Sequence, residues 1–172
     1  MDINKMDQGL LKRNPALTPA EFSHHWYHVH APLVIPFFLH SGIQHYEQVR
    51  HPSPPTPPQP TKQTQMHTPL STDDPTLDIS AWDGVAGLPP QEVLDAPSQM
   101  PKWKEDYYRE VILPDEKRFL VSAALEHIFR VGPGTVRGER KVVIREGKAV
   151  VEVGEEVWRV WREYERRGET EG

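Results

Sequence analysis

Apolar residues step through Phe22, Trp26, Val29, Leu33 and Phe37 at intervals of three and four, which marks one face of a helix. Thr18, Pro19 and Glu21 stand just ahead of it. Thr-x-x-Glu is a capping box, and proline suits the first helical position because its missing N–H has no partner there anyway. Drawn at about 100° per residue, the wheel centres the apolar face on Phe22, Val29 and Leu33. His24 and His28 then face solvent, and His25 and His30 fall on opposite flanks, each roughly 65–75° from the centre. Pro32 and Pro36 predict a kink or an end. The helix is expected to stop near residues 39–40, with Ser41-Gly42 as its terminator.

Before it, residues 8–13 read as a short first strand closed by Asn14-Pro15. After it, residues 43–50 alternate, with polar side chains on both faces, as in a strand whose second face lines a cavity holding polar groups. Residues 51–80 carry eight prolines and little to bury, so they read as a disordered or extended insertion. Residues 81–88 predict the third strand, 91–95 and 101–111 two helical pieces separated by Pro97 and Pro101, and 121–131 a fourth strand. Residues 141–153 hold two β-rich runs around Glu146-Gly147-Lys148, a hairpin signal. Residues 155–167 form a charged helix whose Val157, Trp161 and Tyr164 stripe must dock on the domain or on a second subunit.

The chain has 172 residues, 37% hydrophobic, with 18 prolines, no cysteine and a formal net charge of −5. That length suits one domain. Lack of cysteine excludes disulfides, thiolate metal sites and a thiol nucleophile. The N-terminal residues have no apolar stretch of signal-peptide type, and the longest apolar run is too short and too proline-rich to span a bilayer, so a cytoplasmic protein without membrane contact is expected. The acidic balance argues against a nucleic-acid partner.

Lys12-Arg13-Asn14-Pro15, then 17–22 (LTPAEF), Trp26 and His30-Ala31-Pro32-Leu33 resemble the opening of the EthD family. Leu113-Pro114-Asp115-Glu116 with Phe119-Leu120 is similar to its second marker, and the strand over 81–88 to its W-D-G-x-A segment. The resemblance implies an α+β, ferredoxin-like βαββαβ sandwich over residues 8–134. The proline-rich insertion (51–80) interrupts it, and a hairpin-plus-helix extension follows over 135–172. It further implies a homodimer, two sheets pairing into an α/β barrel to cover their bare apolar faces, with a cleft between sheet and helices in each subunit.

Within that cleft His30 is the first candidate catalytic residue, because an imidazole gives and takes protons near neutral pH; its other reading is a structural tie between helix and sheet. Asp83 is its partner or a structural acceptor. His127 is a second partner or a satisfied core histidine. Trp26, Tyr46, Trp82 and Phe119 are candidate substrate contacts or core. Asp115 and Glu116 are expected to cap a helical turn. His24 and His28 have metal-ligand spacing but no third ligand, and no phosphate loop, nucleophile elbow or nucleotide fingerprint is present. The resemblance implies a cofactor-free enzyme on a hydrophobic small molecule: a lyase, decarboxylase or dehydratase, acting on an aromatic polyketide-type intermediate. A cyclase or monooxygenase of the same superfamily and a non-catalytic binding dimer are the alternatives.

Overall fold

A computed structural model describes residues 6–50, 70–89 and 100–171. The short helix expected over 91–95 lies outside the described residues. Strand β1 (Asp7–Leu11) leads into the first helix, α1 (19–40). Then come β2 (Tyr46–Arg50), β3 (Ser71–Thr72), β4 (Gly84–Leu88) and a second long helix, α2 (102–119). A short helix, α3 (Ala124–His127), precedes β5 (Phe129–Val131), β6 (Val136–Arg137), β7 (Glu139–Arg145), β8 (Lys148–Ala149) and the terminal helix α4 (Glu155–Glu171). The main sheet is antiparallel in the order β5-β1-β4-β2-β7-β8. Its first four strands with α1 and α2 give the βαββαβ order of an α+β fold. Among the described residues no helix is long and apolar enough to cross a membrane.

Helix α1 begins as its sequence dictates. Thr18 caps it, and both halves of the capping box are made. It does not end or break at its prolines. The segments Pro19–His24 and Ala31–His40 are joined by a π turn, His25–His30, in which the Ala31 N–H reaches the Trp26 carbonyl five residues back. Helix α2 repeats the device. Lys102–Tyr107 and Leu113–Phe119 are joined by a π turn at Tyr108–Ile112, with the Leu113 N–H on the Tyr108 carbonyl. In each case the wide turn comes directly before an x-Pro pair, Ala31-Pro32 or Leu113-Pro114. Proline cannot donate and its ring crowds the preceding turn. A locally widened turn accommodates that ring without ending the helix. The helical piece expected over 101–111 and the separate turn expected at Asp115 and Glu116 are therefore one continuous helical run.

The sheet has two unlike sides. On one, α1 and α2 pack with Phe22, Trp26, Tyr107 and Phe119 against Leu11, Tyr46 and Ala86. Gly84 is required there, since any Cβ would sit 2.5 Å from the Trp26 ring. On the other, Leu10, Val49 and Val85 are covered by Leu70 and Val136, with Leu77, Ile79 and Trp82 around them. The cover is a β3–β6 ribbon. Gln8 clips it down: its side-chain amide donates to the Val136 carbonyl at 2.9 Å and its oxygen accepts the Val136 N–H at 2.7 Å. Residues 70–80, read from composition as the end of the insertion, supply half of this cover. The apolar face whose bareness was the reason to expect a sheet-to-sheet dimer carries a layer of its own chain.

Two further elements differ from their expected form. The fourth strand, expected over 121–131, is only Phe129–Val131; Ala124–His127 is helical. Alternation in this stretch is outweighed by good helix formers and by Glu116, whose carboxylate accepts the Ala124 N–H at 2.9 Å. The C-terminal extension does not stand apart. β7 pairs with all of β2, with a bulge between Tyr46 and Glu47, and the β7–β8 turn uses Glu146 and Gly147 at positive φ. Helix α4 docks on α2 of its own chain, where the Trp161 ring meets Tyr107 at 4.8 Å and Trp103 at 5.1 Å, and the Tyr164 hydroxyl bonds Glu110 at 2.5 Å.

Candidate active site

Strand β2 turns Tyr46, Gln48 and Arg50 toward the helices, and all three are buried. Their partners explain why a sheet should carry polar residues there. The Gln48 amide donates to the Trp26 carbonyl at 3.1 Å and the Arg50 guanidinium to the Ser23 carbonyl at 3.0 Å. Both carbonyls belong to the stretch of α1 entering or forming its π turn. The Tyr46 hydroxyl lies with the Gln48 and Trp26 side chains, and burial pushes its pKa up to about 12.

The π turn has a direct consequence for the histidines. In a regular α-helix, His25 and His30 would lie about 140° apart, five steps of ~100°. In a turn closed by i→i+5 bonds, residues five apart come to one side. His25 and His30 accordingly meet a single carboxylate on α2. His25 Nε2 stands 2.9 Å from Asp115 Oδ1, and His30 Nδ1 stands 2.9 Å from Asp115 Oδ2. His30 and Asp115 are about 5% exposed. The Phe119 ring packs against both imidazoles, 5.1 Å from His25 and 4.8 Å from His30.

An ionised carboxylate only accepts, so both imidazoles donate through the nitrogens that face it. That leaves Nε2 of His30 and Nδ1 of His25 as the nitrogens with proton-transfer capacity. Burial acts to raise the pKa of Asp115, but hydrogen bonds and charge from His30, then His25, outweigh it and hold the carboxyl below its usual value. The neighbouring carboxyl behaves oppositely. Burial pushes Glu116 up, only partly offset by the Ala124 N–H, His30 and Tyr108, and Asp115's charge adds to the rise. Tyr108 reaches Glu116 at 3.4 Å. Two adjacent carboxyls thus have pKa values driven apart, with one fixed as an anion beside two imidazoles and the other biased toward its protonated form.

Of the residues expected to line a cleft, His30, Trp26, Tyr46 and Phe119 are brought together here, but buried in the packing between sheet and helices. Asp83 is not with them. It accepts from the Arg13 backbone N–H at 3.1 Å and from Arg13 Nε at 2.8 Å, tying β1 to the start of β4. His127 is held elsewhere, its Nε2 accepting the Lys12 N–H at 3.2 Å and its Nδ1 near the Ala123 carbonyl and Ser122 hydroxyl. Burial lowers its pKa, and a ring nitrogen that accepts the Lys12 N–H carries no proton of its own. Trp82 stacks on Phe129 at the edge of the far face. Asp115, Glu116 and His25 complete the cluster instead. Asp115 and Glu116 sit inside a continuous helix rather than capping a new one. The signal for them was the Leu-Pro-Asp-Glu marker; a regular helical wheel could not place His25 beside His30.

Among the described residues no group of three or more His, Asp or Glu is arranged to hold a metal ion. Both ring nitrogens that could converge on one already face the carboxylate. Two concavities lie away from the cluster. One, of about 130 Å³, sits on the far sheet face beside Glu47 and Arg140. The other is an open groove between Tyr27, Val29 and Pro32 of α1 and residues 151–157.

No curated protein and no solved structure matches this chain. The model of the EthD domain matches residues 14–123, which begin just before α1, end just before α3 and include every member of the His25–Asp115–His30 cluster. The chain therefore belongs to the EthD domain family.

Proposed function

We propose that the protein is a cofactor-free lyase, a decarboxylase or dehydratase acting on a hydrophobic β-keto acid or β-hydroxy ketone of aromatic polyketide type. The observation that carries this reading is one buried carboxylate holding two imidazoles at 2.9 Å each. Asp115 fixes the tautomer and direction of His30, the role a carboxylate plays in any acid–base relay. His30 Nε2 is then free to work on substrate. In a decarboxylation, the bond to CO₂ breaks and its electron pair enters the adjacent ketone. A protonated His30 supplies the proton to the developing enolate oxygen, and the enol then becomes ketone. In a dehydration, neutral His30 removes the proton α to the carbonyl, and the resulting enolate expels the β-hydroxyl as water, with a proton from the acid form of a neighbour. Glu116, biased toward protonation by burial, suits that last step. The substrate carries its own electron sink.

Burial of His30 favours one other reading, a hydrophobic-ligand binder without turnover. The test separates the two. Purified protein is incubated with an aromatic β-keto acid, and CO₂ release is followed alongside binding. Turnover that disappears in His30→Ala supports the lyase. Binding without turnover supports the binder, and full activity of His30→Ala removes His30 from the chemistry.

A further inference from the structure

Among the described residues the buried Gln48 Oε1 has no hydrogen-bond partner, and the buried Arg50 Nε has none either but lies at ion-pair distance, 3.7 Å, from Glu139 Oε2. They belong to the two β2 side chains that reach carbonyls of α1, at Trp26 and Ser23, on either side of His25. An orphaned buried amide oxygen destabilises a fold, and an apolar side chain of similar size would fill the place of Gln48 without that cost. What the amide and the guanidinium supply is a donor to a helix carbonyl. The Trp26 carbonyl already accepts the Ala31 N–H that closes the π turn, so Gln48 is a second donor on the oxygen that defines the turn.

We propose that Gln48, seconded by Arg50, is a positioning residue that locks α1 in its π register and thereby keeps both His25 and His30 on Asp115. Without it the turn tightens to α geometry, the two histidines separate around the helix by about 140°, and one imidazole leaves the carboxylate. The consequence for catalysis rests on the acid–base reading above; the geometric claim does not, so its test uses no substrate. A π turn holds one residue more than the α turn it replaces. Deleting one exposed residue, Val29, leaves the flanking segments in place and puts the histidines four apart on a regular helix, again on one side.

The readout is the carboxyl titration of Asp115, followed by ¹³C NMR in the full chain, with a crystal structure of each variant. His25 and His30 approach this carboxyl from α1, and Glu116 adjoins it on α2. In Gln48→Met the Asp115 midpoint is expected to rise toward that of an ordinary carboxyl, as one donor is lost. In Gln48→Met combined with deletion of Val29 it is expected to return to the parent value. An unchanged midpoint in Gln48→Met overturns the proposal, because the register would not depend on the amide. Where Gln48→Met alone does not fold, the double variant decides. A folded double variant with the parent midpoint supports the proposal, while a raised midpoint or failure to fold overturns it, since Gln48 would then serve more than the turn. Absence of turnover by the parent protein, with these titrations as expected, would sink the lyase and leave the positioning role intact.

Discussion

The two faces of the central sheet do opposite work with the same strands. On the far face, β1, β2 and β4 present Leu10, Val49 and Val85 to a ribbon from their own chain. On the near face, the next residues along β2 are Tyr46, Gln48 and Arg50, and they reach toward an irregular helix carrying a histidine–carboxylate cluster. One face is a conventional apolar seal. The other places buried polar groups, one of them Gln48 with an unbonded amide oxygen, on the carbonyls of a wide helical turn. Unpaired buried polarity of this kind collects where function requires a geometry that packing alone does not favour. The contrast implies that damage to the near face is read in chemistry, and damage to the far face in stability.

The largest expected effect is on the near face. His30→Ala is expected to lower turnover of an aromatic β-keto acid by roughly 10²–10⁴-fold, the usual worth of a general acid or base, while far-ultraviolet circular dichroism stays that of the parent. A comparable loss of stability in place of activity would break the contrast. Next comes Trp161→Ala on α4, expected to cost about 3–5 kcal/mol in denaturant unfolding, as for other buried tryptophans; Trp161 packs on Tyr107 and Trp103, so a small effect would mean that the extension is dispensable.

On the far face, Leu70→Ala is expected to cost about 2–5 kcal/mol and to leave the Asp115 titration unchanged. Leu70→Asp uncovers Leu10, Val49 and Val85, so light scattering should show increased self-association. If neither variant changes stability or association, the ribbon is not the seal it looks like. The smallest effect sharpens the near face. Glu116 has a raised folded-state pKa, so it favours the fold below its unfolded pKa and loses that contribution as pH rises through the folded value. Glu116→Gln keeps an acceptor for Ala124 and Tyr108, and is expected to raise the melting temperature at neutral pH, with the gain fading in acid. A gain independent of pH would mean that the carboxyl's charge is not what burial opposes.

Local signals in the chain were legible wherever one residue type forces one geometry. Thr18, Pro19 and Glu21 marked a helix start that is made in full, and Glu146-Gly147 marked a turn that takes positive φ at both positions. The Trp161 and Tyr164 stripe announced a docked helix. Where one local preference competed with a contact from elsewhere, the reading slipped. Residues 121–131 alternate like a strand, yet a carboxylate eight residues upstream caps a helix inside them. Pro32 looked like a kink or an end, and it instead follows a π turn that keeps its helix whole, a device repeated ahead of Pro114. Asp83 and His127 were reasonable partners for His30 by type, but their hydrogen bonds go to Arg13 and Lys12.

By itself the sequence determined the family, the order of the principal strands and helices, and which helix brings the histidines, because periodicity, caps and turn residues act over a few neighbours. Tertiary structure alone decided that β7 joins β2, that the far face is sealed from within, and that one aspartate from another helix gathers His25 and His30. Those outcomes depend on oxygens and imidazoles dozens of residues apart meeting at hydrogen-bond distance, and a linear pattern carries no record of that meeting.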